Sequence, residues 1–168
     1  MSAIRLLSLT TLFGVLCACG FQLRKEAVLP PGMGTVVVQG ADPFSPLGRD
    51  LTAALERAGS KVVDKAGEGV AVLNITSNRL GTDVLSVGGN ARANEYSMRY
   101  HVEFNVTDNA GKAVLDKQVI ELSREYTFDA AQATAVAAEE DLLRKELQRE
   151  MVQSIMRRLD ALGRTGQR

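Results

Sequence analysis

The clearest structural signal in the sequence is a strict alternation of apolar and polar side chains from residue 96 to residue 107. The apolar positions are Tyr96, Met98, Tyr100, Val102, Phe104 and Val106, and polar residues occupy every position between them. Successive side chains of a β-strand point to opposite faces of the sheet, so this period of two predicts a strand with one buried and one polar face. The buried face needs a second layer to cover it, and the polar face is left free.

Two further strands flank this segment. Residues 70–75 are apolar and β-branched, and the pattern continues more weakly to Val87, which predicts one long strand. A turn at 108–111 leads into a return strand from about Ala113 to Phe128. The apolar positions of that strand shift phase between Val119 and Ile120, which indicates a bulge or a strong twist.

The first strand and the first helix are predicted ahead of these. Residues 35–39, with three consecutive valines, form a short strand that is expected to be buried on both faces. Ser45 is a candidate N-cap, Pro46 suits the first helical position, and Gly59 supplies the stop. The apolar residues of this helix fall on one face and are Leu47, Leu51, Ala54, Leu55 and Ala58.

A long amphipathic helix ends the chain. It is predicted to start after Asp129, a candidate N-cap, and to run to about Leu162, where Gly163 closes it. Its apolar stripe consists of Val136, Leu143, Leu147, Met151, Ile155, Leu159 and Leu162. The element order is therefore β-α-β-β-β-α. This order predicts an α+β, two-layer fold, with a mixed, mostly antiparallel sheet of about four strands and both helices on one face.

The N-terminal residues carry a different signal, that of a lipoprotein. Arg5 precedes an apolar run from Leu6 to Leu16 that is too short to span a bilayer and is typical of a secretory signal peptide. Leu16-Cys17-Ala18-Cys19 then fits a lipobox, in which cleavage occurs before a Cys19 that carries lipid. Gly20 follows, rather than Asp, as in lipoproteins released to the outer membrane. We therefore expect an acyl-anchored protein on the periplasmic side of the outer membrane, with no cofactor other than the covalent lipid on Cys19.

These signals divide the chain into four parts. Residues 1–18 are the cleaved signal peptide, 19–33 an acylated tether, 34–163 a single domain and 164–168 a frayed end. Removing residues 1–18 takes away one of 20 basic residues and none of 20 acidic residues, which leaves a formal charge of −1. No overall field favours nucleic acid as a partner.

The residue types needed for catalysis or for metal binding are scarce. His101 is the only histidine, and the two cysteines lie in the lipobox region. A zinc site or a Ser-His-Asp arrangement therefore lacks its components. Gly88-Gly89 lacks the Lys-Ser/Thr of a phosphate loop, and the adjacent acids Glu139-Glu140-Asp141 point in different directions on a helix. We expect a protein that is not an enzyme.

Four short groups of residues stand out along the mature chain: Cys19-Gly20-Phe21-Gln22-Leu23-Arg24, Asp42-Pro43 with Pro46-Leu47, Asn94-Glu95-Tyr96, and Phe128-Asp129. In their order and spacing they resemble the LPS-assembly lipoprotein (LptE) family. The resemblance implies a non-enzymatic subunit of the translocon that puts lipopolysaccharide into the outer leaflet. It also implies that the protein plugs a large β-barrel partner, LptD, helps that barrel to assemble, and binds lipopolysaccharide.

The resemblance further implies that basic residues before Glu95-Tyr96 contact lipopolysaccharide. Arg92 lies in that loop, and Arg79 and Arg99 add positive potential if they face the same end of the sheet. The alternative is a free-standing outer-membrane lipoprotein that tethers or scaffolds another periplasmic component. A periplasmic lipoprotein hydrolase is a third reading. The partner distinguishes the first two.

Overall fold

The computed structural model describes residues 27–87, 93–108, 110–128 and 133–165. Its elements are β1 (Thr35–Gln39), α1 (Pro46–Arg57), β2 (Lys61–Val62), β3 (Ala71–Val87), β4 (Ala93–Thr107), β5 (Ala113–Thr127) and α2 (Ala133–Thr165). The predicted α+β class is confirmed. The described sheet has five strands, one more than expected, because the two residues of β2 are too few to show any hydrophobic period.

The five strands form one mixed sheet in the order β2-β1-β3-β4-β5. β1 pairs in parallel with β2 and β3, whereas β4 pairs antiparallel with β3 and with β5. Of the residues of β3, only 71–74 pair with β1. Beyond that point the three long strands continue without β1, and we call this part the ribbon: residues 77–87, 93–103 and 119–127.

One hydrophobic core joins both helices to one face of the sheet, as predicted. Its side chains from the strands include Val36, Leu73, Ile75, Met98, Tyr100, Val102, Phe104, Val106 and Ile120. Its side chains from the helices include Leu47, Leu51, Leu55, Val136, Leu147, Met151, Ile155 and Leu159. The alternation in β4 is confirmed, because its apolar residues from 98 to 106 are each at most 2% exposed.

The cap signals of α1 are also confirmed. Ser45 has extended backbone angles, and its hydroxyl oxygen accepts a hydrogen bond from the Gly48 N–H at 3.1 Å. Pro46 is the first helical residue, where its missing N–H leaves no helical bond unmade. Gly59 follows the helix with a φ of +89°, a left-handed conformation that ends the helix at little steric cost to glycine.

The predicted phase shift in β5 was misplaced. Phe104 pairs with Gln118, Val106 with Leu115 and Thr107 with Ala113, so two irregularities lie between residues 113 and 118. Val119 then falls on the polar face, where its side chain is 45% exposed.

The segment from residue 27 to residue 33 lies against the body of the protein. The Val28 N–H donates to Asp160 Oδ1 at 2.7 Å, near the C-terminal end of α2. Met33 is 1% exposed, and its carbonyl oxygen accepts a hydrogen bond from the Ser60 hydroxyl at 2.5 Å. The chain is thus held against the body from residue 28 onward.

The prediction that Gly163 ends the last helix was wrong, because this residue lies within the helix. α2 continues to Thr165, and a Cβ at position 163 would lie 2.2 Å from the Val28 carbonyl oxygen. Glycine is therefore present because another backbone segment approaches the helix closely, not because of a turn.

Gly163→Ala is expected to lower the free energy of unfolding by about 1–3 kcal/mol, as overpacking typically does. Alanine favours a helix interior by about 1 kcal/mol over glycine, but the overlap with backbone atoms outweighs that gain. Thermal unfolding measures the loss, and faster hydrogen exchange at the Val28 amide locates it. Gly34→Ala is the matched control, since a Cβ there meets no atom within 4 Å. A raised melting temperature with unchanged Val28 protection would contradict the close approach.

Candidate functional site

A bulge in β3 places Arg79 on the polar face of the ribbon, the face that already carries Arg99 of β4. Ile75 pairs with Phe104, but the next pair is Ser77 with Glu103, so β3 gains one residue over β4. This extra residue reverses the phase of the strand. Arg79 therefore faces away from the core, four residues after the buried Ile75.

The strand register brings Arg79 and Arg99 together. Arg79 lies opposite His101, and Arg99 lies opposite Gly81, so the two arginines are diagonal neighbours on adjacent strands. Diagonal positions on one face are about 7–8 Å apart. Both side chains can therefore reach one anionic group, an arrangement that the sequence had left open.

Neither arginine is held by a strong internal partner. Arg79 is exposed and has no hydrogen bond or ion pair with any part of the chain that the structure describes. Arg99 Nε lies 3.4 Å from Asp83 Oδ2, and these side chains are 51% and 62% exposed. An exposed pair of this kind contributes only about 0–1 kcal/mol. Both guanidinium groups thus remain available to an external anion.

A more closely paired charge network lies next to them. Lys117 Nζ contacts Glu103 Oε2 at 2.7 Å, while His101 Nε2 lies 3.3 Å from Glu103 Oε1. His101 Nδ1 is 3.9 Å from Glu121 Oε2. The hydrogen bond from Lys117, and secondarily that from His101, lowers the pKa of Glu103 against the opposing effect of burial.

This lowered pKa predicts a pH dependence of stability. The stabilisation from ionised Glu103 is fully present above the ordinary glutamate pKa and is lost as the pH falls through the lower pKa of the folded state. Glu103→Gln should therefore reduce the drop in melting temperature between neutral pH and acid pH below 4.5, the ordinary value. Glu125→Gln is the control, because Glu125 lies on β5 at the same face of the sheet and has no ion pair among the described residues. Identical acid profiles for wild type and Glu103→Gln would contradict the pairing.

Aromatic side chains close the core at the far end of the ribbon. Tyr96 stacks on Tyr126 with ring centroids 5.5 Å apart and meets the edge of Phe128 at 6.0 Å. The Tyr126 hydroxyl donates to Glu140 Oε1 on α2 at 2.6 Å; burial and then this contact raise the pKa of Tyr126 to about 12. Val84, which pairs with Tyr96, is 53% exposed on the core face of β3. The ribbon end thus presents apolar surface on the side of the sheet opposite to Arg79 and Arg99.

The other two predicted site residues, Arg92 and Cys19, lie outside the described residues, so their roles stay predictions. Sequence reasoning did not identify the network around Glu103. The alternation in β4 placed His101 and Glu103 on the polar face, which was the available signal. Lys117 could not be added, because its position depends on the irregularity in β5.

Membrane spans and metal sites can be assessed for residues 27–87, 93–108, 110–128 and 133–165. Within these ranges, neither helix is both long and apolar enough to span a bilayer. In the same ranges, histidine, cysteine and acidic side chains form no group of three or more that could hold a metal ion.

Comparison with known proteins identifies the family. The family model described as LptE, Lipopolysaccharide-assembly, matches residues 33–159, which is most of the chain. The chain belongs to the LptE family. LPS-assembly lipoprotein LptE of Pectobacterium atrosepticum is 28% identical over 146 residues, covering 86% of this chain and 78% of the relative. The protein of the same name from Yersinia pestis is 28% identical over 156 residues, covering 90% and 74%.

Solved structures agree with the LptE assignment. A lipoprotein B from Nitrosomonas europaea, determined by NMR, has a TM-score of 0.73 at 30% identity and covers 88% of this chain and 94% of its own. The rare lipoprotein B from Shewanella oneidensis has a TM-score of 0.66 at 26% identity, covering 80% and 99%. Both are lipoproteins with this α+β fold.

Membership in the LptE family gives the protein a non-enzymatic role in lipopolysaccharide assembly. This confirms the prediction that it is not an enzyme. It also makes the protein a lipoprotein of the cell envelope, in line with the lipobox at Cys19.

Proposed function

We propose that this LptE protein is the lipid-anchored partner of the β-barrel LptD in the outer membrane. In this role it plugs the barrel, assists barrel assembly and binds lipopolysaccharide on its way to the outer leaflet. The family match and the lipobox support the location and the partner. Cys19 carries the acyl chains, and the body faces the periplasmic side of the membrane.

The observation that carries the lipopolysaccharide contact is Arg79, which has no partner among the described residues, beside the weakly paired Arg99. Lipid A presents phosphates, and an arginine donates two parallel, charge-assisted hydrogen bonds to such a group. Arg92 belongs to residues 88–92, which connect β3 to β4 at the end of the ribbon. The exposed Val84 and Leu85 at that end add apolar surface suited to acyl chains.

Arg79→Glu, Arg99→Glu and Arg92→Glu are each expected to weaken lipopolysaccharide binding by about tenfold or more. Losing a hydrogen bond to a charged group costs roughly 1.5–3 kcal/mol, and the introduced carboxylate repels the phosphate. Titration of the purified, non-acylated protein with lipopolysaccharide measures this. Arg158→Glu on α2, where the native arginine contacts Gln118, makes the same change of charge elsewhere. Equal losses in all four variants would show that only net charge matters and would reject the ribbon as the site.

The barrel partnership has its own test, which also separates it from the tethering alternative. Acylated protein is purified from detergent-solubilised outer membrane through a tag at its C-terminus. Co-purification of a large β-barrel protein in fixed ratio supports the translocon role. Recovery of other periplasmic components without a barrel would instead favour a free-standing tether or scaffold.

A further inference from the structure

A groove of about 550 Å³ lies between α1 and α2. Its lining comes from the two helices and from Ala27, the first described residue. Small and apolar side chains make up most of this lining and are Ala27, Ala53, Ala54, Ala58, Val152 and Met156. Because alanine side chains are short, they leave room between the helices for a narrow apolar chain.

Two arginines at this groove are free to bind an anion. Arg57 Nε donates to the Ala53 carbonyl oxygen at 3.1 Å, and Arg149 Nε donates to the Lys145 carbonyl oxygen at 3.3 Å. Neither has a carboxylate within ion-pairing distance in the described part of the chain. The terminal nitrogens of each guanidinium are thus without an acidic partner there. Asp50 is the acidic side chain in the lining, so the charged side chains of the groove sum to one positive charge.

The chain path places this groove near the membrane. This step rests on the proposed acylation of Cys19. Eight residues separate Cys19 from Ala27, and an extended chain spans at most about 3.3–3.6 Å per residue, or roughly 26–29 Å in all. A compact domain of this size has a radius of gyration of about 14–15 Å. The tether is too short to pass around the body, so the face that carries Ala27 is held toward the bilayer.

We infer that the groove between α1 and α2 binds a phospholipid of the leaflet that carries the anchor. Arg57 and Arg149 donate hydrogen bonds to its phosphate, and the alanine-lined floor contacts the first methylene groups of an acyl chain. A guanidinium recognises phosphate, as it does carboxylate, with two parallel hydrogen bonds. A membrane phospholipid combines that group with an apolar chain, as the lining requires.

The test uses the mature chain from residue 19 with Cys19→Ala, so that no covalent lipid contributes to binding. It is mixed with vesicles of phosphatidylcholine with and without phosphatidylglycerol, and the bound fraction is measured by flotation. The protein is expected to float with phosphatidylglycerol vesicles. Reversing both groove charges with Arg57→Glu and Arg149→Glu should weaken this by at least about tenfold, given what each basic residue contributes near an anionic surface.

The matched control reverses Arg49 and Arg144, two exposed arginines of the same helices that do not line this groove. This control should change vesicle binding by less than about twofold. A generic attraction of basic residues to the anionic surface would instead weaken binding equally in the groove variant and in the control variant. Ala53→Trp fills the groove at an exposed position without altering charge, and should also reduce binding. Equal loss in both arginine pairs, or full binding by Ala53→Trp, would overturn the inference.

Lipopolysaccharide titration of the same variants separates this inference from the proposed function. The groove variants should keep their lipopolysaccharide affinity, and Arg79→Glu should keep its vesicle binding. Vesicle binding without lipopolysaccharide binding would reject the ribbon site alone. Lipopolysaccharide binding without vesicle binding would reject the groove alone.

Discussion

Phe104→Ala is expected to lower the free energy of unfolding by about 3–5 kcal/mol. The side chain is fully buried in β4, where the residue pairs with Ile75 on one side and Gln118 on the other. Its removal leaves a cavity between the sheet and the helices that the surrounding core fills only in part. The melting temperature should fall by roughly 10 °C or more for a domain of this size.

Asn105→Ala is the matched control, because the next residue of the same strand points to the polar face. It should change the melting temperature little in the isolated protein. Equal losses for the two substitutions would mean that both faces of the sheet are covered. The polar face would then not be free to meet lipopolysaccharide or a barrel.

Cys19→Ala is expected to abolish acylation and to leave the protein as an unprocessed precursor or in the soluble fraction. Each buried methylene contributes about 0.8 kcal/mol to membrane attachment, so losing the acyl chains removes nearly all of it. Incorporation of radiolabelled palmitate and the division between membrane and soluble fractions measure the effect. Cys17→Ala is the control, since Cys17 leaves with the signal peptide. Palmitate on the Cys19→Ala protein, or its loss from Cys17→Ala, would contradict the lipobox assignment.

The elements that sequence predicted well depend on local chemistry. Alternation from Tyr96 to Val106 marks the buried face of β4, and Ser45 with Pro46 marks the start of α1. In each case the residues that carry the signal also make the contacts that define the element. Such signals need no knowledge of the rest of the fold.

The features that sequence missed depend on distant contacts. β2 exists because Lys61 and Val62 pair with β1, and two residues carry no period of their own. Gly163 was taken for a helix stop because glycine usually serves that purpose. Its actual role reflects the approach of Val28, which is remote in sequence.

The candidate site combines both kinds of feature. Arg99 was placed on the polar face by the alternation of β4 alone. Counting from Ile75 would have placed Arg79 in the core, and only the bulge before Ser77 turns it outward. The sequence could therefore propose these two arginines as basic residues but could not establish that they are neighbours.

The parallel pairing of β1 with β3 has a consequence for the order of folding. Val36 and Ala71 meet across thirty-five positions of the sequence, whereas β3, β4 and β5 are linked by short connections. Loop-closure entropy makes distant pairings slower to form than local ones. The three long strands should thus associate first, and β1 should be added afterwards between β2 and β3. The three valines of β1, the first strand of the chain, should therefore stay unpaired until β3 is in place.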